Sequence, residues 1–218
     1  MKSNKPLAIG LILCTALFII SASIAAPILI RGFYYIQIEP LGIMEKTGLS
    51  MGQIRQAYDE MMDFCIGRSS VFSTGELAWS DWGRSHFVDV KGLFQLDLWV
   101  LLISGALLTI WTFVKRKAQM GAQYLAGRSI GFWAGSALLT IFALIGGLGS
   151  IDFNTTFTIF HQIFFPGKDN WIFDPRVDQI ITILPEEFFR NCAILIVGLI
   201  MGSCVVLIVK DVKRRKKD

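Results

Sequence analysis

The chain has 218 residues, 53% of them hydrophobic and 17% charged, with a mean hydropathy of +0.55 and a net charge of +4. A soluble domain carries about 25% charged residues, so disorder, a collagen-like chain and a polar nucleic-acid binder are all excluded as readings. The excess apolar residues are concentrated in blocks rather than spread along the chain.

Residues 7–30 carry no charge, and 93–114 carry only Asp97, near the start. Residues 129–149 and 192–209 are also uncharged. A helix rises about 1.5 Å per residue, so about 20 residues cross a hydrocarbon core about 30 Å thick. Four transmembrane helices are therefore predicted, in one membrane domain covering 1–218. Lys2, Lys5 and the small residues 21–26 also resemble a secretory leader. The apolar run continues through Pro27 to Ile30, however, which favours a retained first span.

Charge sets the orientation. The amino end, the 115–128 loop and the 210–218 tail hold 12 basic residues against Asp211 and Asp218. Segments 31–92 and 150–191 hold nine basic residues against 14 acidic ones. Positive charge is retained on the cytoplasmic side, so both termini are expected inside and the two long loops outside. The basic tail reads as a solvated anchor that can also touch anionic lipid. Gly131/Gly135 and Gly198/Gly202 are spaced for close helix approach. Cys14, Cys192 and Cys204 fall in spans and Cys65 alone in an outer loop, so no outer disulfide within the chain is expected.

Apart from Asp97 the spans hold no charged residue, which disfavours a transporter or pump. Chemistry is then expected in the outer loops, which hold both histidines. In the first, Ser50-Met-Gly-Gln53 reads as a capping box opening an amphipathic helix with Ile54, Ala57, Tyr58, Met61, Met62 and Cys65 on one face. That helix would lie on the membrane surface or cover the second loop. Residues 71–90, rich in β-formers around Thr74-Gly75 and Trp82-Gly83, suggest a hairpin or extended lasso, so the two loops together predict a small mixed α/β cap. His86 ends this stretch at the outer interface. Asp89 shares its face if the segment is helical and points away if it is a strand.

In the second loop Asp152, Asn154 and Thr155 are capping candidates for a helix on which His161 shares a face with Phe157, Phe164 and Phe165. Pro166-Gly167 ends it, and Pro175 suits the first turn of a further helix. Glu186 and Glu187 precede Arg190 at ion-pair spacing. Each histidine alone reads as a structural hydrogen-bonding residue, but both together beside aromatic membrane interfaces favour acid–base chemistry. Two histidines and a carboxylate could also hold a metal, but the HxxxH and HExxH spacings are absent. No serine elbow, P-loop or dinucleotide fingerprint is present, so the chemistry is expected to need no ATP.

His86-Phe-Val-Asp-Val-Lys91, Phe160-His-Gln-Ile-Phe-Phe-Pro166, Trp171-Ile-Phe-Asp-Pro175 and Leu184-Pro-Glu-Glu-Phe-Phe189 together resemble the bacterial lipoprotein intramolecular transacylase (Lit) family. Their order relative to the four spans agrees as well. Phe72-Ser73 is similar to the family's lead-in to the first histidine, although residues 74–85 form a longer insert here, which affects the alignment of Glu76. The resemblance implies transfer of the sn-2 acyl chain of a diacylglyceryl-lipoprotein to the α-amine of its N-terminal cysteine, giving lyso-form lipoprotein. It implies a multi-pass protein of the bacterial plasma membrane with an extracytoplasmic active site. The implied partners are diacylglyceryl-modified lipoproteins and membrane phospholipid, with no nucleic acid, no cofactor and no metal.

His86 and His161 would then be catalytic, in either order of base and acid, with Asp89 orienting His86. Trp171, Phe160, Phe164 and Phe165 would hold acyl chains and exclude water, and Glu187 and Arg190 would bind substrate if they are not simply a structural ion pair. Two alternatives stay open: a two-histidine lipid or lipoprotein hydrolase, and a non-enzymatic membrane scaffold or sensor.

Overall fold

The computed structural model describes residues 4–118 and 124–216. Lys2, Lys217 and Asp218, which enter the charge asymmetry, and 119–123 of the basic loop lie outside the described residues. The chain is mostly helical. Four helices are long and apolar enough to cross a membrane: α1 (Lys5–Leu29), α5 (Asp81–Lys117), α6 (Ile130–Ile151) and α8 (Glu186–Arg215), the numbering following chain order with α2 (Gly32–Tyr35), α3 (Ile43–Thr47), α4 (Met51–Cys65) and α7 (Phe153–Phe164). Helices α5 and α8 contain the whole apolar block expected for their spans, and α1 and α6 all but one residue of theirs, Ile30 and Ser129. Helices α5 and α8 are longer than their blocks, and the first three turns of α5 precede residues 93–114.

The chain packs as two compact units. One contains 1–24, 98–150 and 195–218. Its core is Ile19, Leu138, Ile200 and Cys204, with Phe142, Ile196 and Leu207 packed around them. A Cβ added at Gly135 would meet the Cys204 carbonyl at 3.0 Å, and one at Gly131 would meet Leu207 at 3.3 Å. This glycine pair allows α6 to approach α8 closely. Gly198 and Gly202 have nothing within 4 Å, so the second glycine pair makes no such approach. Before α6, β1 (Tyr124–Leu125) and β2 (Arg128–Ser129) form a hairpin through Ala126 and Gly127, both at positive φ as a two-residue turn requires. The hairpin is tied down by the buried Asp211 carboxylate, which accepts from Ser129 N at 2.9 Å and pairs with Arg128 at 3.1 Å.

The other unit contains 25–97 and 151–194. Ser50 and Gln53 form the reciprocal capping box, and α4 buries Ile54, Ala57, Tyr58, Met61, Met62 and Cys65 as its period predicts. This face covers the second loop: Tyr58 stacks on Tyr34 at 3.9 Å between ring centroids, and Tyr34 Oη donates to the Ile183 carbonyl at 2.7 Å. Arg31, just past α1, clasps α4 by pairing with Asp59 at 2.8 Å and Asp63 at 2.7 Å.

The expected hairpin or extended lasso over 71–90 gives way to helix from Asp81 onward, 71–80 alone being irregular, and neither outer loop has a strand among the described residues. The cap is therefore helical, not mixed α/β. The reason is local: Ser80 caps α5, its Oγ accepting from Gly83 N at 3.0 Å, with Asp81 in the first turn facing the positive helix end. Pro175 does not open a helix either. Its residue sits in a turn closed by Asp174, whose carbonyl accepts from Val177 N at 3.0 Å and Asp178 N at 2.8 Å, and a 3-10 segment (Gln179–Ile183) follows.

Candidate active site

His86 lies in the second turn of α5 and His161 near the end of α7, so two separate helices supply the imidazoles. Each helix is fixed at its start. Asp152 caps α7 by accepting from Thr155 N at 3.1 Å. The start of α5 is gripped from the second loop: Asp178 accepts from Ser80 N at 2.8 Å and Ser80 Oγ at 2.9 Å, and Ala78 exchanges two 2.9 Å hydrogen bonds with Gln179. Gly83 makes room for this grip, since a Cβ there would lie 2.1 Å from Asp178 Oδ1.

The two rings come together, 5.9 Å apart between centroids and tilted by 32°. Both are buried, His86 at 5% exposure and His161 at 7%. Phe165 stands beside both, 4.8 Å from His86 and 5.7 Å from His161. Phe157 at 4.2 Å and Trp171 at 4.6 Å complete the shell around His161, and Phe173 lies 5.5 Å from His86. Phe165 reaches this position because the chain leaves the helix there and folds back before Gly167, which has φ +71°. Phe164 does not share the His161 face as expected. It pairs instead with Phe160 at 4.6 Å, and both rings are exposed.

His161 Nδ1 lies 2.8 Å from the Phe157 carbonyl oxygen, which can only accept, so Nδ1 carries the hydrogen and Nε2 the free lone pair. Burial lowers the His161 pKa, partly offset by this hydrogen bond. His86 is pushed down to about 4, by burial first and then by His161 and Lys168, against the opposing influence of Asp89 and Asn170. Both imidazoles are therefore neutral at physiological pH, as a proton acceptor requires.

Asp89, now on a helix, does share the His86 side, but it does not hydrogen-bond the ring. It pairs with Lys168 at 2.7 Å and accepts from Asn170 Nδ2 at 3.1 Å. Burial pushes its pKa up, and these two partners outweigh that and hold it below the usual carboxylate value. Glu186 and Glu187 form no ion pair with Arg190 among the described residues. Both acids lie in the first turn of α8, where the helix end itself favours negative charge. Among the described residues no three His, Cys, Asp or Glu side chains converge as a metal site would need.

The residues missed by sequence reasoning are Asn170, Asp178, Ser80, Gly83 and Phe173. Ser80-Asp81 was the available signal, a capping pair ahead of helix. The partners of Asn170 and Asp178 lie some 80 to 100 positions away in sequence and leave no local pattern.

The family model described as lipoprotein intramolecular transacylase Lit matches residues 9–189. Among solved structures, the chain is similar to the membrane integral lipoprotein intramolecular transacylase Lit from Bacillus cereus, with a TM-score of 0.85 and 23% identity over 98% of each chain. Structures of that protein carrying a histidine-to-arginine or a histidine-to-alanine substitution each align with a TM-score of 0.77 at 24% identity. They cover 98% of this chain and 93% and 96% of theirs. At such identity the likeness is one of fold. No match was found among curated proteins.

Proposed function

The chain belongs to the lipoprotein intramolecular transacylase (Lit) family, multi-pass membrane acyltransferases, and from that premise we propose that it moves the sn-2 acyl chain of a diacylglyceryl-lipoprotein onto the α-amine of the same N-terminal cysteine. The observation that carries the reading is the pair of buried, neutral imidazoles 5.9 Å apart inside an aromatic shell. Ester-to-amide exchange is downhill and needs no energy source. Donor and acceptor belong to one molecule, so the protein's task is to hold the amine against the ester carbonyl and to handle protons.

An α-amine has an ordinary pKa of about 8 and arrives mostly as ammonium. Two protons must leave the nitrogen: one makes it nucleophilic, and the second departs as the C–N bond forms. Two imidazole lone pairs meet that need. His161, with Nδ1 anchored on Phe157 and Nε2 free, takes the first proton and releases it to solvent. His86 takes the second. With a pKa near 4 its imidazolium is a strong acid, and it returns that proton to the glycerol oxygen as the ester C–O bond breaks. A neutral His161 has no proton at Nε2 for an oxyanion, so backbone N–H groups are the better donors there.

Trp171 and Phe165 exclude water from the rings, while the exposed Phe160 and Phe164 meet acyl chains and bilayer phospholipid. Glu187 and Arg190, with no ion pair between them, are available to a lipoprotein's polar groups. The basic 115–128 loop and tail support a cytoplasmic position for both termini and an extracytoplasmic one for the site. Mass spectrometry of lipoprotein N-terminal peptides tests the reading, in a bacterium that makes diacylglyceryl-lipoproteins and lacks other N-acylating enzymes. Unchanged mass with one acyl group moved to nitrogen supports it. Loss of one acyl group with a free amine would mean hydrolysis and refute it, as would no change.

A further inference from the structure

His86 Nδ1 is buried, so proton transfer at this ring uses Nε2, which needs a free lone pair there and the ring hydrogen on Nδ1. His161 shows the device that fixes such a tautomer, a carbonyl at Nδ1. At His86 the same task falls to a residue outside the catalytic pair. Asn170 is 4% exposed and lies between the end of α7 and Trp171. Its Nδ2 donates to Ser85 Oγ at 3.0 Å and to Asp89 Oδ2 at 3.1 Å, so the amide is anchored to α5 on both sides of His86 in sequence.

This anchoring fixes which end of the amide is which. The Ser85 hydroxyl donates to the Trp82 carbonyl at 2.6 Å, leaving its oxygen as an acceptor toward Asn170. Asp89, ionised and paired with Lys168, also only accepts. A flipped amide would set its oxygen against two acceptors. The Asn170 oxygen is therefore directed away from Ser85 and Asp89. It is a buried atom without a hydrogen-bond partner, and so is His86 Nδ1. An amide oxygen can only accept, so the two atoms are complementary when the ring nitrogen carries the hydrogen.

We infer that Asn170 is a positioning residue that holds the hydrogen on His86 Nδ1 and so presents Nε2 as the base, with Asp89 and Ser85 acting on His86 only by setting the Asn170 amide. The inference rests on the transacylase reading for its purpose, and on the hydrogen bonds that orient the Asn170 amide for its content. Asn170 raises the His86 pKa against the effect of burial, the direction expected of an acceptor near the ring.

The test is nitrogen NMR of the full chain in lipid nanodiscs with 15N-labelled histidine, which reports on two residues only. The expected His86 spectrum shows a protonated Nδ1 and a bare Nε2. Asn170→Leu should let His86 exchange between tautomers and cut transfer by on the order of tenfold to a hundredfold, with little change in apparent KM. Asp89→Asn, which frees the amide to flip, should give the same spectral change in part, and the double variant should be no worse than Asn170→Leu alone.

The His161 signals serve as the folding control. If they move in Asn170→Leu, the wild-type His86 tautomer and the Asp89→Asn spectrum decide. A wild-type hydrogen on Nε2, or a His86 spectrum indifferent to both substitutions, overturns the inference. Because the spectrum does not depend on turnover, transfer with the wrong tautomer refutes this inference alone, and the right tautomer without transfer refutes the proposed function alone.

Discussion

The depressed pKa of His86 has a consequence that can be measured without any substrate. Its ring is 5% exposed, beside a second imidazole and three phenylalanines, Phe87, Phe165 and Phe173. Burial and the neighbouring His161 bring its pKa from the ordinary 6.5 to about 4. Each unit of pKa corresponds to about 1.4 kcal/mol, so charging the ring in place costs about 3 kcal/mol more than in water. The folded value lies below the unfolded one. Acid therefore favours the unfolded chain, and stability falls as pH drops from 6.5 through about 4, with no loss above that window.

His161 is depressed in the same direction. A rate profile is a poor assay, because the substrate amine loses its nucleophilic form on acidification regardless of the enzyme. Direct titration of the labelled histidines is the better measurement, with assignment from the His161→Ala spectrum. Midpoints below 6.5 for both rings, and lower for His86, are expected. A His86 ring that titrates at or above 6.5 would refute both the dry site and the neutral-base argument.

Three other outcomes follow from the same geometry. His86→Ala and His161→Ala should each abolish transfer while the protein still inserts and elutes as the folded wild type in detergent; retained activity would remove that residue from the mechanism. Gly83→Ala forces a Cβ into the space of Asp178 Oδ1, and overpacking of this kind costs about 1–3 kcal/mol. Its melting temperature in detergent should fall, and transfer should fall with it because α5 carries His86. Trp171→Ala opens the shell 4.6 Å from His161. It should release free fatty acid during turnover, and an unchanged ratio of transfer to hydrolysis would show that Trp171 does not exclude water.

Where the sequence was readable, the signal was local. The four apolar blocks, the Ser50–Gln53 capping box, the buried face of α4 and the Asp152 cap all lie within a few residues of what they determine. The misreadings come from tertiary demands. Trp82-Gly83 resembles a turn, but Gly83 is small because Asp178 approaches it, and the residues around it are helical. The Gly198/Gly202 spacing matches Gly131/Gly135, yet only the latter meets a neighbour. Both histidines were found because they are the only two, whereas Asn170 was invisible: a lone asparagine among loop residues has no pattern until Ser85 and Asp89 are seen beside it.

The proposed reaction sets two requirements that oppose each other. A site that moves an acyl chain from an ester to an amine must keep water away, or the same proton transfers would hydrolyse the ester. Aromatic walls and burial achieve this, and they lower the basicity of every imidazole inside. A single weak base faces an ammonium substrate that has two protons to lose. In the proposed reaction a second imidazole shares that work, and the low pKa that would make His86 a reluctant base would make its protonated form a ready acid for the glycerol leaving group. The tautomers then matter more than the pKa values, because a ring whose Nε2 already carries hydrogen accepts nothing from the amine at that atom. In His161 a backbone carbonyl settles the point. In His86 it rests on a side-chain amide held by Ser85 and Asp89, which is the more vulnerable of the two arrangements and the one where a single substitution should separate folding from catalysis.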